Sequence, residues 1–278
     1  MYDLHEMKKP SKVSSMKQLM TLPGRGRVPP MFKPLDPGGL GMPLFRAVKR
    51  GLLQAIESGQ CPPGEALANE TELAASFGVS IGTLRKAVDE LVAEHILVRR
   101  QGRGTFVATH DQARFLFQFF HVERSDGLKD VPVVDLVDFR RGRAEEDAAQ
   151  ALEIRTGEPV IEIENRLLLQ RRPVVHDRIV LPAVNFKGLT EKRFAERGGT
   201  IYQLYQSEFG ITVVRAAERL RAVLADRSNA RVLGVAEGTP LLQVHRVALT
   251  FGDKPVEYRV SAINTAHHDY VNLLSRPA

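Results

Sequence analysis

Thr83, Arg85 and Lys86 place one hydroxyl and two cationic side chains close together in the sequence. Side chains of these types contact phosphate oxygens and base edges in the major groove of DNA. A second set, Arg-Gly-Thr, follows at 103–105 inside a basic, glycine-rich segment. Both sets have the chemistry of a polyanion-binding surface, although a solvated charged face has the same composition.

The first set lies on a predicted helix. Leu84, Val88 and Leu91 recur at helical spacing, which predicts one buried face. Ser80 suits the N-cap, where its hydroxyl can accept a hydrogen bond from an N–H group of the first turn. A helix with an anchored back and cationic residues at its exposed N-terminal end fits the major groove.

Two more helices and a hairpin surround this helix in the sequence pattern. Three helices followed by a cationic hairpin predict a winged helix-turn-helix. The predicted elements are a helix from Pro43 to Gly59, a helix over 70–77 capped by Asn69, the helix from Ser80, and strands at 96–98 and 105–107 around a flexible tip at 99–104.

Charge divides the chain into two parts. The net charge is +6 over 278 residues. Residues 1–108 hold 15 Lys and Arg against 10 Asp and Glu, whereas the remaining 170 residues hold 24 against 23. A basic part joined to a nearly neutral part indicates a polyanion-binding module attached to something else.

Composition also narrows the classes of protein. Cys61 is the only cysteine, so the chain has no intramolecular disulfide and no cysteine cluster for zinc, and we expect an inert thiol. No run approaches the ~18 apolar residues of a membrane helix, and no signal-peptide core is visible, so we expect a cytoplasmic protein. No nucleophile or phosphate-loop motif occurs. We therefore expect no catalysis, cofactor or metal.

The N-terminal motifs resemble those of the DNA-binding domain of GntR-family transcription regulators. The segments that carry the resemblance are Pro43–Phe45, Pro63–Glu65, Glu72–Ala74, Phe77–Ser80, Thr83–Ala87 and Gln101–Val107. The resemblance implies operator contacts by the recognition helix and the wing. Carried over by position, the DNA-binding residues are Ser80, Thr83, Arg85, Lys86, Arg103, Gly104 and Thr105.

Two residues depart from the family pattern. Ile81 and Thr71 stand where the family usually has arginines. Ile81 cannot make a bidentate contact to guanine but can touch a thymine methyl group. We expect DNA binding to survive, since phosphate contacts supply much of the affinity; the operator sequence does not follow. A winged domain converted to protein–protein binding is the alternative.

We divide the chain into a disordered basic tail (1–40), a winged helix-turn-helix (41–108), a linker (109–113) and a ligand-sensing domain (114–278). In the last part we predict strands at 114–122 and 133–139, the second with Asp135 and Phe139 on one face. A helix is predicted around Ile201–Tyr205, and His267–Asp269 is interpreted as a solvated turn rather than a metal site.

A near-repeat organises this second half. Residues 151–163 resemble residues 232–244 at a fixed offset of 81. Each copy contains a helix end, a Gly-x-Pro turn, a long strand and a second strand. We therefore predict two helix-plus-hairpin units in one antiparallel sheet, an α+β domain with its helices on one face.

The second half resembles the ligand-sensing (UTRA) domain of the histidine-utilisation-repressor branch of the GntR family, which has the chorismate lyase fold. The resemblance rests on the Gly-x-Pro hairpins, Asp177–Arg178, Leu181–Ala183, Ile201–Leu204, Ala217–Glu218 and Pro255–Tyr258. It implies that a small-molecule effector binds on the sheet. The implied effector residues are Tyr202, Glu257, Asp177, Glu218 and Arg246.

Phosphosugar-sensing members usually have paired arginines on the first hairpin strand. Asn165 and Leu167 stand on that face here, and strand alternation points Arg166 to the other side. We therefore expect a smaller acid or a histidine-pathway metabolite in place of a phosphosugar. For each implied residue, a polar pair on a solvated sheet face is an equal alternative.

Three functions are open at this point. The first is a dimeric, metabolite-responsive repressor that binds double-stranded operator DNA. The second is a chorismate-lyase-like enzyme with a DNA-binding head. The third is a structural nucleoid protein, which would not need the neutral second domain.

Overall fold

The structure is a computed structural model that describes Phe32 and residues 41–111, 118–128 and 130–272. Its first domain contains three helices and a two-stranded hairpin, as predicted. These elements are α1 (Leu44–Glu57), α2 (Glu70–Phe77), α3 (Ile81–Ala93), β1 (Leu97–Arg100) and β2 (Gly104–Val107).

Both predicted N-caps are confirmed. The Asn69 side chain accepts a hydrogen bond from the Glu72 N–H at 2.8 Å, and the Ser80 hydroxyl accepts one from the Thr83 N–H at 3.2 Å. Between them, Gly78 adopts φ +67°, a conformation that glycine allows at low cost. These caps fix where the recognition helix α3 begins.

The wing differs from its prediction in one respect. Arg99 and Arg100 were expected in the flexible tip, but they lie on β1, where Arg100 pairs with Gly104. Gly104 has φ +109°, which explains why glycine is needed where the hairpin reverses. Only residues 101–103 form the tip.

The predicted basic tail lies outside the described residues, except for Phe32. This ring stacks on Phe77 at 4.1 Å between centroids and joins the core of the winged domain. Cys61 is also buried in this core, and burial raises the pKa of its thiol. A protonated, enclosed thiol agrees with the inert role expected for it.

The second domain is built on a six-stranded antiparallel sheet with the strand order β4-β5-β6-β9-β8-β7. Its strands are β4 (Val133–Arg143), β5 (Pro159–Leu169), β6 (Arg172–Pro182), β7 (Arg215–Leu224), β8 (Pro240–Leu249) and β9 (Pro255–Ile263). Its helices are α4 (Glu146–Leu152), α5 (Glu191–Ala195), α6 (Ile201–Phe209) and α7 (Arg227–Leu233). A separate pair consists of β3 (Val122–Arg124) and β10 (His268–Tyr270).

The predicted repeat is confirmed and is longer than predicted. Each copy also includes the strand before its helix, so the units are β4-α4-β5-β6 and β7-α7-β8-β9. The two units meet where β6 pairs with β9 at the centre of the sheet. Gly157 and Gly238, with φ of +82° and +80°, make the equivalent turns.

The prediction of helices on one face is wrong. Helices α5 and α6 cover one face of the sheet through Phe194, Tyr202 and Tyr205. Helices α4 and α7 pack on the opposite face. Both faces are therefore partly buried, and each strand carries apolar residues on both sides.

The predicted alternation along β4 also fails. Leu136 pairs with Asn165, but the next partnered residues are Asp138 and Glu164, so the register shifts between them. Because a bulge adds one residue, it exchanges the faces beyond it. Phe139 consequently packs with Leu136 against the α6 side instead of sharing a face with Asp135.

Two other predictions need correction. In the predicted strand 114–122, Gln118 is helical and β3 begins only at Val122. His267–Asp269 is not a solvated turn, because His268 is buried on β10. Within the described ranges no cluster of His, Cys, Asp and Glu could hold a metal, and no helix is long and apolar enough to cross a bilayer.

The two domains share an apolar contact. Phe251, in the short 3-10 turn between β8 and β9, belongs to the buried core of the winged domain. Lys254 follows this turn, and its Nζ lies 3.8 Å from the Oε1 of Glu57 at the end of α1. The β8–β9 turn therefore fixes the DNA-binding head against the sheet domain.

Truncation of this contact should destabilise the head. We expect Phe251→Ala to lower the free energy of unfolding of the winged domain by about 3 kcal/mol, because a buried aromatic ring is lost. Urea unfolding followed by hydrogen exchange in α1 and in β5 would separate the two domains. Val184→Ala, at a site that is 66% exposed, serves as the control and should change neither domain.

Candidate nucleic-acid interface and ligand pocket

The N-terminal turn of α3 is the most exposed part of the recognition helix. Ser80 and Thr83 hydroxyls lie 2.9 Å apart, so they form one polar pair at the helix entrance. Ile81 beside them is 40% exposed. An exposed isoleucine next to two hydroxyls presents a methyl-rich surface flanked by groups that can bind phosphate.

Two arginines that would face DNA are bound to carboxylates. Arg85 donates through Nε to Glu70 on α2 at 2.6 Å, and Arg99 lies 2.5 Å from Asp89. Both pairs are largely exposed, so each contributes little to stability and can exchange partners. A phosphate that binds Arg85 must compete with Glu70.

The remaining cations of this surface rest on aromatic rings. The Lys86 ammonium lies 4.1 Å from the centre of the Phe45 ring. The guanidinium groups of Arg100 and Arg103 lie 4.7 and 6.0 Å from the Phe106 ring. Cation–π contacts hold these charges in place without neutralising them.

A cavity of about 400 Å³ opens between the sheet and the start of α6. Its floor contains Asn165 and Leu167 of β5, Asp177 of β6 and Arg259 of β9. One wall is formed by 131–134, and the other by 197–203 at the entrance of α6. The Gln203 side chain packs against the backbone of Gly199. A Cβ atom on residue 199 would lie 2.1 Å from the Gln203 Oε1, so this position requires glycine unless Gln203 moves.

Beneath the cavity lies a buried ionic cluster. Arg259 donates to both carboxylate oxygens of Glu257 at 3.0 Å and to Asp177 at 3.1 Å. The hydroxyls of Tyr202 and Tyr205 donate to the same Glu257 at 3.1 and 2.7 Å. Burial and the nearby Glu257 carboxylate raise the pKa of both phenols, so they remain donors.

Two polar atoms at the cavity have no hydrogen-bond partner among the residues that the structure describes. The Asn165 Oδ1 and the Arg197 Nε are buried without a hydrogen bond. Arg197 is otherwise held by the Phe194 carbonyl at 2.6 Å and by the Phe194 ring at 4.3 Å. Buried polar atoms without partners are uncommon and costly, and both belong to residues that line the cavity.

The residues predicted to bind an effector divide into three groups. Asp177 lines the cavity, whereas Tyr202 and Glu257 lie in the ionic cluster beneath it. Glu218 and Arg246 form a neighbouring pair at 2.6 Å. The expected direction of Arg166 is confirmed, since it pairs with Asp135 on the other face.

The Glu218–Arg246 pair is part of a second buried network. Arg246 also donates to the Phe119 carbonyl at 2.6 Å, and the Tyr270 hydroxyl donates to Glu218. Burial alone would raise the pKa of the Glu218 carboxyl, but Arg246 and Tyr270 lower it below its ordinary value. This pair joins β7, β8 and β10 and holds Phe119 in place.

Sequence reasoning missed Arg197, Thr200 and Gln203. Their signal was a Gly-Gly-Thr entrance to α6, in which Thr200 caps the helix by accepting from the Gln203 N–H at 3.1 Å. The Arg85–Glu70 pair was also missed, because it joins two helices.

Comparison with known proteins identifies both domains. Residues 44–107 match the family described as bacterial regulatory proteins, gntR family, and residues 127–269 match the UTRA domain. The chain belongs to the GntR family of regulators, with a UTRA domain. The resemblance seen in the sequence is thereby confirmed.

Curated relatives agree with this assignment. The chain is 28% identical over 218 residues to a probable fructoselysine utilization operon transcriptional repressor of Escherichia coli, covering 77% of this chain and 87% of that protein. It is 26% identical to the repressor NagR of Bacillus subtilis, over 84% and 96%. It is 28% identical to the histidine utilization repressor of Pseudomonas putida, over 73% and 81%.

Solved structures match the same fold. One is described as the ligand-binding domain of a candidate GntR-family transcriptional regulator from Bordetella bronchiseptica. It has 39% identity and a TM-score of 0.53, covering 56% of this chain and 96% of that one. YydK of Bacillus subtilis, 16% identical with a TM-score of 0.50, covers 84% of this chain and 100% of that one, and it shows the fold alone.

The function class follows. This GntR/UTRA chain is a DNA-binding transcription regulator with an effector-binding domain, and it is not an enzyme. The family binds operator DNA and an effector, and dimerisation is typical of it.

The Glu218 network should show in the acid stability of the protein. Because folding lowers the Glu218 pKa, its contribution is present above the unfolded value of about 4.3 and is lost as pH falls through the lower folded value. We expect Glu218→Gln to cost about 3 kcal/mol at pH 7, since it leaves Arg246 buried without its carboxylate.

Urea titrations from pH 7 to pH 3 would measure this difference, with the exposed Glu237→Gln as control. The cost of Glu218→Gln should shrink towards pH 3. An unchanged cost over this range would contradict the assignment of the shift to Glu218.

Proposed function

We propose that this regulator is a homodimeric repressor that binds a two-fold operator through both winged domains and releases it when a small organic acid enters the α6 cavity. The observation that carries the proposal is the cavity itself. It is lined by a cationic donor and an acceptor, each with a buried atom that has no partner among the described residues. The same chain carries a winged domain that can bind DNA.

The DNA interface supports phosphate-dominated binding. Arg85, Lys86, Arg100 and Arg103 are exposed on α3 and the wing, and the hydroxyl of Ser80 stands at the helix entrance. Such contacts position the protein and make affinity depend on salt. Ile81 provides a contact to thymine methyl groups where an arginine would read guanine.

The effector class follows from the unpartnered atoms. Arg197 can bind a carboxylate or another acidic group, beside the N-terminal end of α6, where backbone N–H groups favour anions. Asn165 Oδ1 accepts from an N–H or O–H group on the ligand. A small acid with an amine, hydroxyl or ring N–H satisfies both groups.

A phosphosugar fits less well. The first hairpin strand presents Asn165 and Leu167 to the cavity, and Arg166 is paired with Asp135 on the opposite face. Among the described residues of the lining, Arg197 alone supplies a guanidinium at the wall, because Arg259 is already bound to Glu257 and Asp177. One such cation balances a single carboxylate better than a dianionic phosphate.

A two-fold operator would support dimerisation. Winged-helix regulators that read palindromic sites place one head on each half-site, so protein symmetry mirrors operator symmetry. The family is typically dimeric, and this chain has one winged domain per copy.

Arg85 should carry specific operator binding. We expect Arg85→Ala to lower affinity for the specific operator by about 1–3 kcal/mol or more while leaving the fold intact. Footprinting over the protein's own promoter region would measure it. Arg155→Ala, at an exposed arginine of the sheet domain, is the control, and a normal footprint from Arg85→Ala would refute this placement of the recognition helix.

Effector binding can be tested on the same footprint with a panel of metabolites. We expect protection to be released by a small carboxylic acid, and Arg197→Met and Asn165→Leu to raise the concentration needed by at least about tenfold each, as a charge-assisted hydrogen bond is lost in the first and a hydrogen bond to a buried acceptor in the second. Arg155→Met controls for loss of a surface charge. Release by a phosphosugar alone would contradict the proposed ligand class.

A further inference from the structure

Helix α6 touches the cavity and the interdomain linker at the same time. Thr200, at the N-cap of α6, lines the cavity and donates its hydroxyl hydrogen bond to the His110 carbonyl at 3.2 Å. One side chain therefore contacts both the space available to an effector and the chain that leaves the wing.

Gln206 makes a second set of bonds from the same helix. Its Oε1 accepts from the His110 N–H at 3.1 Å. Its Nε2 donates to the Ala108 carbonyl at 3.3 Å and to the Thr212 hydroxyl at 3.2 Å. Gln206 is buried, so the linker backbone is bonded on both sides of Thr109 by one amide.

The linker is in turn continuous with the base of the wing. The Ala108 N–H donates to the Ile96 carbonyl at 2.9 Å, and the Val107 carbonyl accepts from the Gly64 N–H at 2.9 Å. A displacement of residues 108–110 therefore acts directly on β2 and on the turn before α2.

Helix α6 is short enough to move as one body. Thr200 and Gln206 are six residues apart, or about 9 Å along a helix axis. Tyr202 and Tyr205 between them are anchored to Glu257. Because these anchors act as a pivot at the middle of the helix, a group that displaces the Thr200 end tilts the helix and so displaces the Gln206 end as well.

We propose that α6 couples the cavity to the DNA-binding head, with Thr200 responding to occupancy and Gln206 holding the linker. The assignment of the cavity as the effector site rests on the function proposed above. The coupling itself rests only on the hydrogen bonds from α6 to residues 108 and 110. Gln206 is in this view a positioning residue and touches no ligand.

Coupling between two ends must be reciprocal. A change at the cavity end should loosen the linker, and a change at the linker end should loosen the cavity entrance. A purely structural role for Gln206 predicts loosening at the linker alone. This difference allows a test that needs neither the effector nor the operator.

The experiment is amide hydrogen exchange on the full chain without ligand. We expect Thr200→Val and Gln206→Leu each to speed exchange at the His110 amide by at least about tenfold, because the second removes the acceptor of that N–H and the first removes the bond to the carbonyl of the same residue. We also expect Gln206→Leu to speed exchange at the Gln203 and Leu204 amides, which are bonded to Thr200 at the cavity end of the helix.

Two matched controls exist in the chain. Thr190→Val removes the same kind of N-cap, from α5, without touching the linker, and Ser207→Ala alters the exposed neighbour of Gln206. Both should leave exchange at His110 and at Gln203 and Leu204 unchanged. If they change it as much as the test variants do, the effect is general loosening and the proposal is overturned.

Two further outcomes would overturn the coupling. One is normal exchange at His110 in Gln206→Leu, and the other is fast exchange there with no change at Gln203 and Leu204. If Gln206→Leu unfolds the sheet, seen as fast exchange in β5 and β6, Gln206→Glu replaces it. That variant keeps the acceptor for His110 and loses the donors to Ala108 and Thr212, so exchange at Gln203 and Leu204 should again rise.

These outcomes are separate from those of the proposed function. A failed metabolite screen would leave the exchange results standing, and a failed exchange result would leave ligand binding in the cavity possible. In the second case the conformational change caused by the effector would be transmitted to the head by another route, such as the Phe251 contact.

Discussion

The sheet domain depends on the hydrogen bonds and ion pair that hold the buried Glu257 carboxylate. Its carboxylate is fully enclosed and is bound by Arg259, Tyr202 and Tyr205. An isolated buried carboxylate would be very costly, so these partners cannot be removed separately. The cluster thus fixes α6 on the sheet and sets the depth of the cavity floor.

The cavity and the cluster differ in how completely their polar groups are hydrogen-bonded. Below the floor every strong donor and acceptor is bound, which makes a rigid base. At the floor and wall, Asn165 and Arg197 retain an unbound atom, which is unfavourable until a ligand arrives. A rigid, satisfied support under an unsatisfied surface is the arrangement that preorganises a binding site.

The sequence predicted what local periodicity and capping decide. Helices α1 to α3, the caps at Asn69 and Ser80, and the two Gly-x-Pro hairpins follow from residue type and spacing within one segment. The placement of helices α4 to α7 on both faces of the sheet could not be predicted. Strands with apolar residues on both faces do not show which helix covers which face. The β4 bulge was missed because one inserted residue leaves no local signal.

The candidate sites follow the same division. Asp177, Tyr202 and Glu257 were found through the family resemblance, and Asn165 through strand alternation. Asp177 lines the cavity, whereas Tyr202 and Glu257 lie beneath it. This difference depends on the side-chain orientation of each residue, which the sequence does not give. Arg197 and Gln206 act through contacts with residues far away in the chain, so no local pattern identifies them.

The partners of the cationic side chains bear on which charges of this chain are available to DNA. In the sheet domain, Arg140, Arg166, Arg193 and Arg215 are each bound to a carboxylate, and in the head Arg85 and Arg99 are bound in the same way. In the described part of the head, Lys86, Arg100 and Arg103 form no ion pair and lie against aromatic rings. A charge held by a ring remains available to phosphate, whereas one held by a carboxylate must first be released. These three cations are therefore the ones on α3 and the wing that a phosphate can reach without displacing a carboxylate, and they add to the higher net charge of residues 1–108 as a reason to expect DNA binding there.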